Sequence, residues 1–245
     1  MSRWRLMIEY DGGPFVGWQR QENGPSVQQA IEDAVFRFCG ERRSVQGAGR
    51  TDAGVHAAGQ VAHVDLARSF APATVRDAIN FHLRPAPVVV RDAVIVEESF
   101  HARFSARNRC YRYRILSRPA PPALERDRVW WTPLPLDVAA MAEASAVLEG
   151  RHDFTSFRST MCGAASALKT LTTLRVTRSG EEVVIAAEAR SFLHNQVRII
   201  AGTLKQVGEG RWTPADVAAA LEACNRAHAG PTAPAHGLCL TSVEY

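Results

Sequence analysis

Residues 47–57, Gly47-Ala48-Gly49-Arg50-Thr51-Asp52-Ala53-Gly54-Val55-His56-Ala57, are the least generic stretch of the chain. Their glycines and alanines leave the backbone open to close approach, while Arg50, Thr51, Asp52 and His56 supply polar chemistry. The Gly47-x-Gly49 pair lacks the third glycine of a dinucleotide fingerprint, and no Gly-Lys-Ser/Thr follows, so this is not a nucleotide-phosphate loop. Asp52 and His56 have no partners at metal-ligand spacing, and no metal site is expected. Taken alone, the stretch also fits a glycine-rich hairpin whose Asp bonds its own backbone. The Arg-Thr-Asp core is too constrained for an arbitrary turn and points to chemistry at Asp52.

The flanking residues place this stretch between strands. Upstream, Trp4, Leu6, Ile8 and Tyr10 alternate onto one side of a strand over 3–10, which Asp11-Gly12-Gly13-Pro14 breaks. Ser26-Val27-Gln28-Gln29 has the form of a capping box. Val27, Ala30, Ile31, Ala34, Val35 and Phe38 make the buried stripe of the helix that follows, and Gly40 ends it. A short strand near 44–49 leads into the turn, and a second strand spans 60–66. A helix at about 73–82 and a β-branched strand over 88–96 complete a β-α-β-β-α-β order. Downstream come a strand at about 108–117, a proline-rich loop at 118–122 and a helix from the Asp137 cap to Leu148. A hairpin of strands 170–178 and 182–189 turns at Ser179-Gly180. A long helix over about 191–207 follows, then one opened by Thr213-Pro214-Ala215-Asp216, and a last strand over 238–244. Hairpins and long strands with helices between them predict a mostly antiparallel α+β protein with helices on one face.

The composition fits that reading. The chain has 245 residues, of which 46% are hydrophobic and 22% charged, enough to build a core. No apolar run approaches the ~18–20 residues of a membrane span. The N-terminus shows no signal-peptide pattern, and five scattered cysteines without a C-x-x-C pair fit reduced thiols, so a cytoplasmic protein is expected. Net charge is +4, and only two of the 29 basic residues, Lys169 and Lys205, are lysines. A coding bias accounts for that ratio, but clustering says more. Arg103, Arg107, Arg109, Arg112 and Arg114 are interleaved with Phe104, Tyr111 and Tyr113. That texture suits a polyanion with stackable bases, or else a solvated strand face.

The 47–57 stretch resembles the signature of the tRNA pseudouridine synthase A (TruA) family, and the similarity runs the length of the chain. Glu9-Tyr10-Asp11-Gly12 and Gly17-Trp18-Gln19-Arg20-Gln21 resemble its opening. Asp65, Phe100-His101-Ala102-Arg103 and Tyr111-Arg112-Tyr113 resemble its middle. Arg190-Ser191-Phe192-Leu193-His194, Val197-Arg198 and Pro231 to Leu238 resemble its C-terminal blocks. Two departures stand out: Asn195-Gln196 replaces a hydrophobic or His-Met pair, and Cys110 stands where Thr or Arg often precedes the tyrosine. Neither is expected to touch the chemistry.

The resemblance implies the pseudouridine synthase α+β fold. Its two halves, 1–103 and 104–245, would each hold a mixed, mainly antiparallel sheet flanked by helices, with the catalytic cleft between them. It implies isomerisation of uridine to pseudouridine at positions 38, 39 and 40 of the tRNA anticodon stem-loop. The N1–C1′ bond is cut, uracil turns, and C5 joins the same carbon, with no cofactor and no metal. Asp52 matches the catalytic aspartate, which either attacks C1′ or removes the C2′ proton. Tyr111 matches the active-site tyrosine that stacks on uracil and assists C5 deprotonation. Arg198 matches the basic partner of the aspartate. Arg50 would fill the RNA stack vacated by the extruded nucleotide. Arg107, Arg109, Arg112 and Arg114 become phosphate or shape contacts, and a homodimer is implied. Competing readings are a non-catalytic tRNA-binding or remodelling protein, and a hydrolase pairing Asp52 with His56.

Overall fold

The computed structural model describes all 245 residues, Met1–Tyr245. It divides into two compact units, one of Met1–Arg107 with Cys239–Tyr245, the other of Asn108–Leu238. The division lies at 107/108, against 103/104 in the sequence reading, and the last strand returns to the first unit.

In the first unit, strands β1 (Ser2–Tyr10), β2 (Gln46–Gly47), β3 (His56–Leu66), β4 (Val88–Val96) and β10 (Leu238–Glu244) form one sheet, in the order β4-β1-β3-β10 with β2 also on β3. Pairing is antiparallel except for β10, which runs parallel to β3 through Cys239↔His56 and Leu240↔Ala57. Gly59 permits this approach, since a Cβ there would lie 2.4 Å from the Thr241 carbonyl oxygen. Trp4, Leu6, Ile8 and Tyr10 are buried as their alternation predicts. Helix α1 (Val27–Cys39) starts at Ser26, whose side chain accepts the Gln29 N–H, and ends at Gly40 with φ of 76°. Helix α2 (Pro72–Leu83) packs on α1 and β4.

In the second unit, β5 (Asn108–Ser117), β9 (Glu182–Ala189), β8 (Leu168–Ser179) and β7 (Gly150–Asp153) lie antiparallel in that order, and β6 (Trp130–Thr132) pairs parallel with β5. The short strands β6 and β7 carry too few residues to show an alternation and are not legible in the sequence. Helix α3 (Val138–Ala146) packs on β8 and on α4 (Gln196–Gly208). Helix α5 (Pro214–Glu222) begins with a complete Thr213–Asp216 capping box. Helix α4 starts five residues later than the hydrophobic pattern predicts. Asn195 takes a left-handed φ of 63°, so 190–195 is a loop and not a first helical turn.

Candidate active site

Asp52 sits in the connection between β2 and β3, and that turn is braced from three sides. Inside the unit, Thr51 is buried and its Oγ1 lies 2.8 Å from the hydroxyl of Tyr10, the last residue of β1. Gln60, fully buried, donates from Nε2 to the Gly49 carbonyl at 3.0 Å and reaches the Tyr10 oxygen at 3.5 Å. Burial pushes the Tyr10 phenol's pKa up, so it stays a neutral bridge between Thr51 and Gln60.

The second brace is backbone. Trp18 N–H donates to the Thr51 carbonyl at 3.0 Å, and Val55 N–H closes the turn on the Asp52 carbonyl at 3.1 Å. Glycines admit the neighbouring chain. A Cβ on Gly12 would fall 2.1 Å from the Val55 carbonyl oxygen, and one on Gly17 would fall 2.8 Å from that of Thr51. Gly47 lies against the Trp18 ring in the same way. The third brace is His56, which is buried and accepts the Gly12 N–H on Nδ1 at 3.0 Å, with Asp11 Oδ1 3.1 Å from the same nitrogen. His56 thus packs the loop, and Trp18, 2% exposed, is a core residue. The result is a partly buried Asp52 on a backbone that cannot drift, with Arg50 exposed beside it.

Tyr111 and Arg198 belong to the second unit. On β5, Arg109, Tyr111 and Tyr113 share one face and Arg112 and Arg114 the other, because side chains alternate. Tyr111 is half-buried and meets Phe192 edge-on at 5.2 Å between ring centroids. Tyr113 is fully buried, donates to the Pro234 carbonyl at 2.8 Å, and lies near enough to Arg198 to feel its charge.

Arg198, in the first turn of α4, is held on two oxygens: Nε donates to the Ala233 carbonyl and Nη1 to Asn195 Oδ1, each at 2.8 Å. Ala233 N–H returns a bond to the Arg198 carbonyl at 3.1 Å. The 230–234 loop can lie this close because α4 has Gly202, where a Cβ would sit 1.8 Å from the Pro231 oxygen. The departure from the family pattern at Asn195 therefore does reach the candidate chemistry, through Arg198. Gln196 is buried and its Oε1 takes the Leu193 N–H at 2.8 Å.

The arginine cluster does not survive as a single surface. Arg109 is 8% exposed and its guanidinium donates to the Arg190 carbonyl, inside the unit. Arg114 is taken up by Glu182 and Glu125, with Nε–Oε2 2.9 Å and Nη1–Oε2 2.7 Å. Those carboxylates raise its pKa, and the Arg114 guanidinium in turn holds that of Glu182 down. Arg107 and Arg112 are exposed. Strand alternation separates Arg109 from Arg112, whereas Arg114 shares the face of Arg112 and is set apart only by its pairing with Glu182 and Glu125. Sequence reasoning missed Tyr10, Gln60, Gly12 and Asn195 as supports. Their signals were a Tyr at the inward end of β1, the glycines after it, and the break in pattern before Val197-Arg198.

No three His, Cys, Asp or Glu side chains group as a metal site, and all five cysteines are free thiols. No helix is long and apolar enough to cross a membrane. The sequence model described as tRNA pseudouridine synthase matches residues 6–105 and 144–245. Proteins called tRNA pseudouridine synthase A from three bacteria are similar over the whole chain. That of Rhodospirillum rubrum is 58% identical over 245 residues, covering 88% of its own length. That of Paramagnetospirillum magneticum is 59% identical, covering 96%. That of Rhodospirillum centenum is 60% identical, covering all of it. With the Asp52 turn, the α+β architecture and this full-length identity in agreement, the chain belongs to the tRNA pseudouridine synthase family.

Proposed function

We propose that this enzyme, an isomerase, converts uridine to pseudouridine at positions 38, 39 and 40 of the tRNA anticodon stem-loop. The observation that carries the reading is the Asp52 turn: one carboxylate on a backbone fixed by the Tyr10–Thr51–Gln60 hydrogen bonds and by Gly12 and Gly17. Cleaving N1–C1′ develops positive charge at C1′, which a held carboxylate stabilises or captures. The leaving uracil spreads its negative charge over two carbonyls, so a second acid is not required. C5 then bonds to C1′ and loses its proton, while N1 gains one, so the atoms balance without a redox partner.

Tyr111 is assigned to the uracil, with Phe192 holding its ring edge-on. Arg198 is assigned to the aspartate, with its guanidinium pre-oriented by Ala233 and Asn195. Both assignments require that the two units present their groups to the same nucleotide. Arg50, exposed beside buried Thr51, is assigned to the vacated position in the RNA stack. Phosphate contact falls to Arg107 and Arg112, the exposed members of the cluster, because Arg109 and Arg114 are committed within the fold. A-form RNA hides its major groove, so recognition follows backbone shape. We further assign a homodimer and a cytoplasmic location, on family resemblance.

The test is tritium release from tRNA carrying [5-³H]uridine. Wild type releases tritium with no added cofactor, and Asp52→Asn binds tRNA without releasing it. Release by both proteins removes Asp52 from the mechanism, and release of free uracil makes the enzyme a hydrolase.

A further inference from the structure

The three aromatic residues interleaved with the arginine cluster have different fates. Tyr113 is buried, Tyr111 is half-buried against Phe192, and Phe104 is 71% exposed. Phe104 is not loose. Its turn, 101–105, is locked by Ser105 N–H to the His101 carbonyl and by His101 N–H to Ser105 Oγ, both 2.9 Å. His101 Nδ1 collects the N–H groups of Arg103 and Phe104 at 3.1 and 3.4 Å. At the centre of the turn, Ala102 is fully buried, donates to His63 Nδ1 at 3.2 Å and accepts from the Tyr245 hydroxyl at 2.8 Å. A buried anchor with six hydrogen bonds about it therefore displays a phenyl ring to solvent. The bonds and the burial of Ala102 stabilise the turn, whereas the Phe104 ring itself stays wet and adds little to stability.

The surroundings define what the ring fits. It leans on the His101 imidazole at 4.4 Å between centroids, tilted 39°, and the Arg103 guanidinium lies 5.7 Å from its centre. Arg103 and Arg107 are both exposed, and the sequence holds no carboxylate between Glu98 and Glu125. An exposed aromatic ring flanked by exposed arginines matches the stacking platforms that take unpaired bases while cations follow the backbone. We infer that Phe104, flanked by Arg103 and Arg107, is a stacking platform for an unpaired base of the RNA substrate, separate from the Asp52 turn. The inference rests on the tRNA reading above and adds a binding contact to it.

The experiment measures affinity for an unmodified tRNA transcript at fixed salt for wild type, Phe104→Ala, Phe104→Leu and Phe104→Trp, with tritium release in parallel. Phe104 is exposed, so the variants keep the wild-type melting temperature. Phe104→Ala binds about 5- to 150-fold more weakly, the range of one lost base stack. Its KM rises while kcat at saturating tRNA is retained, Trp restores affinity, and Leu, apolar without a π-face, does not. Unchanged binding by Phe104→Ala overturns the proposal, as does full rescue by Leu. A shift in oligomeric state on sedimentation, with tRNA affinity per subunit unchanged, also overturns it and makes Phe104 a protein contact. Tritium release by wild type with no effect of Phe104→Ala refutes the platform alone. A wild type that neither binds nor reacts refutes both readings.

Discussion

Gly12→Ala is the sharpest perturbation of the Asp52 turn, because it adds one methyl group where only backbone lies. The new Cβ would stand 2.1 Å from the Val55 oxygen, 2.5 Å from its carbonyl carbon and 2.9 Å from its nitrogen. No rotamer change relieves contacts with a peptide group. The shortfall from the 3.0 Å that real Cβ atoms respect is about 0.9 Å at the oxygen, so one of the two segments must move by nearly that much. Val55 N–H closes the turn on the Asp52 carbonyl, and Gly12 N–H holds His56, so the displacement passes directly to the Asp52 turn. Overpacking of this kind costs about 1–3 kcal/mol. A misplacement of ~1 Å at a reacting group costs on the order of 100-fold in rate. We therefore predict that kcat/KM for tritium release falls about 100-fold, the melting temperature drops by a few degrees, and tRNA affinity is retained. Gly163→Ala serves as the control, since a Cβ there meets nothing within 4 Å. A folded Gly12→Ala protein with wild-type kcat/KM would refute the claim that this contact sets the aspartate.

Two further predictions concern other parts of the molecule. Asn195→Gly keeps the left-handed backbone but removes the acceptor of Arg198 Nη1, so kcat should fall about tenfold with melting temperature and KM little changed; wild-type kcat would show that the Asn195 contact does not orient the arginine. His63 is buried and its Nδ1 accepts the Ala102 N–H, and burial first, then the neighbouring His101 charge, lowers its pKa from 6.5 to about 4. Its folded pKa is depressed, so the unfolded chain binds the extra proton. The stabilisation is therefore complete above pH 6.5 and is lost as pH falls toward 4, by on the order of 2 kcal/mol after solvent screening. Urea unfolding from pH 7.5 to 4.5 checks this against His63→Gln, and parallel pH dependences for the two proteins would disprove it.

Much of the architecture was written in local pattern. The alternation from Trp4 to Tyr10, the β-branched run over 88–96, the Ser26 and Thr213 caps and the Gly40 stop each act within a few residues. Sequence reading therefore placed them within a residue or two of the observed bounds. It misplaced the start of α4, where the apolar pattern continues back through Phe192 and Leu193 but Asn195 turns left-handed. It also took the arginines of 103–114 as one group. A strand's period of two divides those on β5 between an inner and an outer face, and burial commits Arg109 to the fold.

The sequence by itself determined the family and the order of the longer elements and singled out Asp52 as the candidate aspartate, because a motif and a periodicity are carried by residues close together in the chain. Only the tertiary structure decided what holds those residues. Tyr10 reaches Thr51 across 41 positions, Ala102 reaches His63 across 39, and Arg198 reaches the Ala233 carbonyl across 35. The return of β10 to β3 spans most of the chain. Such contacts depend on strand pairing and on glycines that let two backbones meet, so they exist only once distant segments have packed together.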